Sequence, residues 1–177
     1  ANQDIIEFPP NAANEVNAGL VITQSDPKDP IRNIQVTMPG GICQGNPFQA
    51  VNAPAQCGGK GYLSFADHAA TILFNPDYVE FMKQFKTVRF MNMSGITRND
   101  MQSWQQRPQV TQATWGGKEG KRGVPLEVMV QLANTLNSNA WFNMPHRADD
   151  NWVREYARYV SANLNPTLKA YIEYTNE

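Results

Sequence analysis

The chain has 177 residues, of which 41% are hydrophobic, and its 15 basic and 16 acidic side chains give a formal net charge of −1. This length and composition predict one globular domain, or a large part of one, and exclude a chain that is mainly disordered. The near-neutral charge argues against nucleic acid as a partner, and no apolar run approaches the ~20 residues that a membrane span needs.

The N-terminal part of the chain is rich in Asn, Asp and Pro, and residues 1–30 are expected to form an extension. The globular domain is predicted over residues 31–177. Its first core strand is expected just before the turn Pro39-Gly-Gly41, because apolar residues recur there at strand-like spacing. These apolar residues are Ile31, Ile34, Val36 and Met38.

The two cysteines, Cys43 and Cys57, bound a segment rich in Gly, Pro, Asn and Gln that shows no helix or strand pattern, within a loop predicted over residues 42–64. A disulfide that closes this segment is the preferred interpretation, with a stabilisation of about 3 kcal/mol. Such a bond would indicate an oxidising compartment. Two free thiols are the alternative, and two cysteines alone cannot complete a zinc site.

Downstream of this loop, helix and strand patterns alternate. The expected helices begin at Asn75-Pro76, at Pro125, and at Asp149 or Asp150. The expected strands are Thr87–Met91, Asn139–His146 and Lys169–Thr175. Alternation of this kind predicts an α/β protein with a parallel sheet. No glycine cluster has the strand–turn–helix context of a phosphate-binding loop, so no nucleotide cofactor is expected.

Polar residues stand where catalytic groups would lie if the sheet closed into a barrel, whose chemistry gathers at the carboxyl ends of the strands. Arg89 lies in the second strand, His146 closes the third, and Asn176 with Glu177 closes the fourth. This set (VRFM, WFNMPH and YIEYTNE) resembles the clan A glycoside hydrolases, which are retaining enzymes. The resemblance covers residues 70–177, and the run from WFNMPH to YTNE is also similar to secreted polysaccharide-hydrolase domains of that clan.

The resemblance implies a (β/α)₈ TIM barrel of which strands 1 to 4 are present here. It implies that Glu177 is the general acid/base and that Asn176 bonds the sugar 2-hydroxyl. Arg89 would orient the nucleophile, and His146 would line the site. The family's nucleophile is a second Glu after strand seven, which this sequence lacks. The chain is therefore predicted to be an N-terminal half whose partner is the missing C-terminal half, inactive by itself.

The predicted function is hydrolysis of a β-linked polysaccharide by retaining double displacement, outside the cell or in the periplasm and without cofactor or metal. A non-catalytic protein that binds carbohydrate or assembles into an extracellular structure is the alternative. One sequence feature distinguishes hydrolysis from binding or assembly: hydrolysis requires a downstream strand that ends in Glu.

Several residues also have simpler interpretations. Trp104 and Trp115 are candidate platforms for pyranose rings, and burial under the loop is the alternative. Arg89 could serve only in a salt bridge, and His146 could be an ordinary loop histidine. Glu173 is expected to be ion-paired, and Trp141 is assigned to packing.

Overall fold

The computed structural model describes residues 19, 21–31, 34–112, 114–116 and 123–174. The chain divides into two compact units, Ala1–Val36 and Thr37–Glu177. In the first unit every described residue is exposed to solvent. Among these described residues, Asp26 and Asp29 form a β-bridge across a turn, and the Asp26 carboxylate accepts from the Lys28 N–H at 2.8 Å.

The strand predicted around residues 31–38 is wrong. Residues 34–38 form no strand, Ile34 is 55% exposed and Val36 is 94% exposed, while residues 32 and 33 lie outside the described part. The four apolar side chains on which the prediction rested are all exposed, from 41% at Met38 to 94% at Val36. A period-two pattern becomes a strand only where a neighbouring strand and a packed face are available.

Strand pairing begins instead inside the cysteine loop, which was predicted to lack regular structure. Strands β1 (Gly41–Cys43), β2 (Asn46–Val51) and β3 (Tyr62–Ser64) form an antiparallel sheet in the order β2-β1-β3. A turn at Gly45, with φ of 81°, joins β1 to β2. Gly41 is required by close approach, since a Cβ there would lie 2.1 Å from the Leu63 carbonyl oxygen.

The disulfide prediction is confirmed: Cys43 in β1 is bonded to Cys57. Cys57 ends a short 3₁₀ turn over Pro54–Cys57, and both cysteines pack with Val51 in a small buried cluster. The bond therefore links β1 of the antiparallel sheet to the loop that connects β2 with β3.

The helices form where the sequence predicts them. Helix α1 (Pro76–Met82) begins after Asn75, whose side chain accepts from the Asp77 N–H at 2.8 Å. Helix α2 (Leu126–Leu136) ends at Asn137 in the left-handed conformation. Helix α3 (Asp150–Asn163) is capped by Asp149, which accepts from the Trp152 N–H at 2.6 Å. The starts of α1 and α3 therefore have side chains that satisfy exposed backbone donors, whereas α2 begins after Pro125 without a side-chain cap.

A second sheet is parallel and contains β4 (Thr87–Arg89), β5 (Asn139–Met144) and β6 (Ala170–Tyr174) in chain order. Helices α2 and α3 connect these strands, and their apolar faces pack on one face of the sheet. In the core, Phe90 and Phe142 stack with ring centroids 5.4 Å apart, and Tyr156 of α3 meets Phe142 edge-on at 5.5 Å. The hydrophobic periodicity of α2 and α3 therefore identified the true core elements.

The (β/α)₈ barrel prediction, with strands 1 to 4 present, is wrong. The described residues form two small sheets, one antiparallel and one parallel with three strands each, and three α-helices. The three parallel strands form an open sheet, and β6 lies at its edge with Ile172 54% exposed and Tyr174 57% exposed. The alternation of elements suggests a parallel strand before β4. The strands that precede β4 are instead β1, β2 and β3, and β1 pairs antiparallel with the other two. Among the described residues, no helix has the length and apolar character of a membrane span.

Candidate functional site

The face of the parallel sheet that is not covered by α2 and α3 carries polar and aromatic side chains. Arg89 of β4 is in register with Trp141 of β5, and Asn143 of β5 is in register with Glu173 of β6. Because side chains alternate between the two faces of a strand, these residues project from the same face. We call Arg89, Trp141, Asn143 and Glu173 the Glu173 cluster.

The Glu173 carboxylate is the centre of this cluster. Arg89 donates to both of its oxygens, from Nη2 to Oε2 at 2.8 Å and to Oε1 at 3.0 Å, with Nε 3.1 Å from Oε2. The Trp141 indole N–H and the Asn143 amide each donate to Oε2 at 2.8 Å. Three side chains from two other strands thus converge on one carboxylate.

These donors change the acidity of Glu173. The hydrogen bond from Arg89 is the largest influence and lowers the pKa of Glu173. The Asn143 and Trp141 hydrogen bonds and the Arg89 charge lower it further, since each favours the charged form. Burial acts in the opposite direction, but the pKa stays below its ordinary value. Glu173 is therefore ionised at neutral pH and unsuited to act there as a proton donor.

An open cleft of about 370 Å³ adjoins the cluster and is lined by Thr87, Arg89, Trp141 and Tyr171. The Arg89 guanidinium lies 5.3 Å from the Trp141 ring centre, and the Trp141 and Tyr171 rings are 6.3 Å apart. Trp141 is 39% exposed and Tyr171 45% exposed. The cleft therefore offers two partly exposed aromatic rings beside a cation.

The carboxyl ends of β5 and β6 are adjacent. His146 follows the buried Pro145 after β5 and is exposed, and the Tyr174 hydroxyl donates to its backbone oxygen at 3.2 Å. Asn176 and Glu177, the predicted sugar-binding residue and acid/base, lie outside the described residues. Their assignments stay predictions, as does a substrate-lining role for His146.

The two tryptophans predicted as stacking platforms have different surroundings from Trp141. Trp104 is partly buried against the core, with its ring 5.7 Å from Trp152, 6.4 Å from Tyr156, and 4.3 Å from the Arg107 guanidinium carbon. This is the packed alternative that the sequence left open. Trp115 is half-buried, and its indole nitrogen has no hydrogen-bond partner within the described part of the chain.

The sequence anticipated part of the cluster and missed the rest. Arg89 needed an anion and Glu173 was expected to be ion-paired, and the two are each other's partners. Trp141 was assigned to packing although its ring is partly exposed, and Asn143 was not singled out. The available signal was the period of two, which puts Trp141 and Asn143 on one face of β5. Which strands are neighbours could not be read from that period.

In the described ranges, no group of three or more His, Cys, Asp or Glu side chains is arranged to hold a metal ion. No protein-family model, curated protein or solved structure matches the chain.

Proposed function

We propose that this protein is a glycoside hydrolase that acts on a β-linked polysaccharide by retaining double displacement, with Glu177 as the acid/base. The observation that carries the proposal is the ion pair between Arg89 and Glu173, which ties β6 to β4 across β5. This ion pair holds β6 beside β5. In the sequence Asn176 and Glu177 follow β6, and His146 follows β5. The Asn-Glu motif after β6 supplies the chemical argument.

A retaining mechanism needs a protonated carboxyl group and an ionised one about 5–5.5 Å apart. Glu173 is held ionised by its donors, so the proton would come from Glu177. In the family that the motif resembles, the nucleophile is a second Glu at the end of a seventh strand, and no described residue is assigned that role in the proposal. In this proposal Arg89, which is paired with Glu173, positions β6. Its orienting of the nucleophile stays a prediction from the resemblance.

The proposed setting is outside the cell or in the periplasm. The bond between Cys43 and Cys57 supports this, because disulfides persist mainly in oxidising compartments. A polysaccharide too large to enter a cell would be met there.

The test is Glu177→Gln in the product of the complete gene, assayed on a panel of β-linked glucans, xylans and mannans. Removing a general acid/base should lower turnover about 100-fold or more, with polysaccharide binding retained. Glu80→Gln is the matched control, since Glu80 is a half-exposed residue of α1 paired with Lys83. Turnover that is equal in both variants would remove the acid/base assignment.

A second candidate function is carbohydrate binding without catalysis, and the cleft beside the Glu173 cluster favours it. The Trp141 and Tyr171 rings could each pack on the apolar C–H face of a sugar. Tyr171→Ala should then weaken retardation by polysaccharide in affinity electrophoresis, whereas Tyr78→Ala on α1 should not. If the complete gene product binds polysaccharide and cleaves none of the panel, this function replaces hydrolysis.

A further inference from the structure

A small cavity lies between the end of β5, the start of α2, helix α3 and the loop after β4, and Asn143 is among its lining residues. Its volume is about 30 Å³. Most of its lining is apolar, including Ile96, Met101 and Met129, but Asn143, Trp152 and Tyr156 line it as well. The cavity is thus partly open and is bordered by core residues and by buried polar groups.

Each of these three residues has a polar atom without a hydrogen-bond partner among the described residues. The atoms are Asn143 Oδ1, Trp152 Nε1 and the Tyr156 hydroxyl oxygen. The residues are 2%, 3% and 5% exposed, respectively, so bulk solvent does not reach them. A buried polar atom left unpaired costs about 1–3 kcal/mol, and native proteins commonly satisfy such atoms with internal water.

We propose that this cavity is a hydration site that holds one or two water molecules bound to Asn143, Trp152 and Tyr156. One water needs about 10–15 Å³, so a volume of about 30 Å³ accommodates up to two. The chemistry is complementary: the indole N–H only donates, the amide oxygen only accepts, and water and the phenol do both. Arg107 also lines the cavity, and its Nε is a further buried donor without a partner in the described chain.

The hydration site would support the Glu173 cluster through Asn143. Glu173 accepts only, so the Asn143 amide must turn its Nδ2 toward the carboxylate, as it does at 2.8 Å. Its Oδ1, which has no partner in the described chain, then needs a donor of its own, and a cavity water can be that donor. Tyr156 and Trp152 are therefore positioning residues: they bind the cavity water, and that water orients the Asn143 amide.

The first test is a crystal structure of the protein at a resolution that shows ordered water, followed by exposure of the same crystals to xenon. We expect at least one water within hydrogen-bonding distance of two of the three unpartnered polar atoms, and no xenon in the cavity. A dry cavity, or one that takes up xenon, would overturn the proposal, as would a protein side chain that bonds the three atoms.

The second test compares Tyr156→Phe with Tyr159→Phe, because both tyrosines lie on α3 and only Tyr156 lines the cavity. Loss of the Tyr156 hydroxyl should remove at least one ordered water. It should also shift the Asn143 side-chain amide resonances and raise the NMR titration midpoint of the Glu173 carboxyl group. Tyr159→Phe should change none of these. Equal effects of the two variants on Asn143 and Glu173 would show that Tyr156 contributes packing alone.

Discussion

Arg89 and Glu173 lie 84 residues apart in the chain and form a bidentate ion pair that crosses the middle strand of the parallel sheet. Glu173 projects from an edge strand, and Arg89 projects from the opposite edge. The middle strand contributes Trp141 and Asn143, which donate to the same carboxylate oxygen. One carboxylate therefore links all three strands through side chains in addition to the backbone ladder.

Because Glu173 has a lowered pKa, its contribution to stability should depend on pH. A group whose pKa is lower in the folded state stabilises the protein above its unfolded pKa, whose ordinary value is 4.5. That stabilisation is lost as the pH falls below 4.5 and through the folded-state pKa. The measurement is the urea midpoint from pH 3 to 7 for the wild type and Glu173→Gln. We expect the wild type to be more stable at pH 7 and the difference to shrink toward pH 3. A constant difference would contradict the linkage.

Reduction of the disulfide should destabilise the antiparallel sheet. The bond joins residues 14 apart, a closure that contributes about 3 kcal/mol in the chain-entropy model. Urea unfolding with and without dithiothreitol measures the effect. The Cys43→Ser/Cys57→Ser double variant is the control, since dithiothreitol should not alter it and its stability should match that of the reduced wild type.

Phe142→Ala should cost about 3–5 kcal/mol of unfolding free energy, because the ring is fully buried between Phe90 and Tyr156 and its removal leaves a cavity. Phe81→Ala is the matched substitution at a surface position, where the ring is 60% exposed on α1. It should cost about 0.5 kcal/mol. Chemical denaturation of both variants compares them directly, and similar losses would mean that Phe142 does not lie in the core.

Asp149→Ala should lower stability by about 1 kcal/mol, because the carboxylate caps α3 by accepting from the Trp152 N–H. Asn151→Ala provides the comparison, since Asn151 is an exposed residue of the first turn and is not the cap. It should be neutral or slightly stabilising, given the better helix propensity of alanine. Thermal unfolding followed by circular dichroism measures both. An Asp149→Ala protein as stable as Asn151→Ala would exclude a capping role.

The sequence by itself determined the elements of local origin. The caps at Asn75 and Asp149 and the strands β4, β5 and β6 all lie close to their predicted positions, because capping bonds and hydrophobic periodicity depend on residues a few positions apart. The disulfide between Cys43 and Cys57 was also predictable, since these are the two cysteines of the chain.

Only the tertiary structure decided which of these elements meet. The apolar pattern from Ile31 to Met38 predicted a core strand, but no strand in the described part of the chain pairs with residues 34–38. Gly41–Cys43, in the irregular-looking loop, pairs on both sides. In the same way, Arg89 needed some anion and Glu173 some cation, but the parallel register of β4, β5 and β6 made them partners around Trp141 and Asn143. The physical reason is that strand pairing joins residues far apart in the chain, and local periodicity carries no information about which of them will be neighbours.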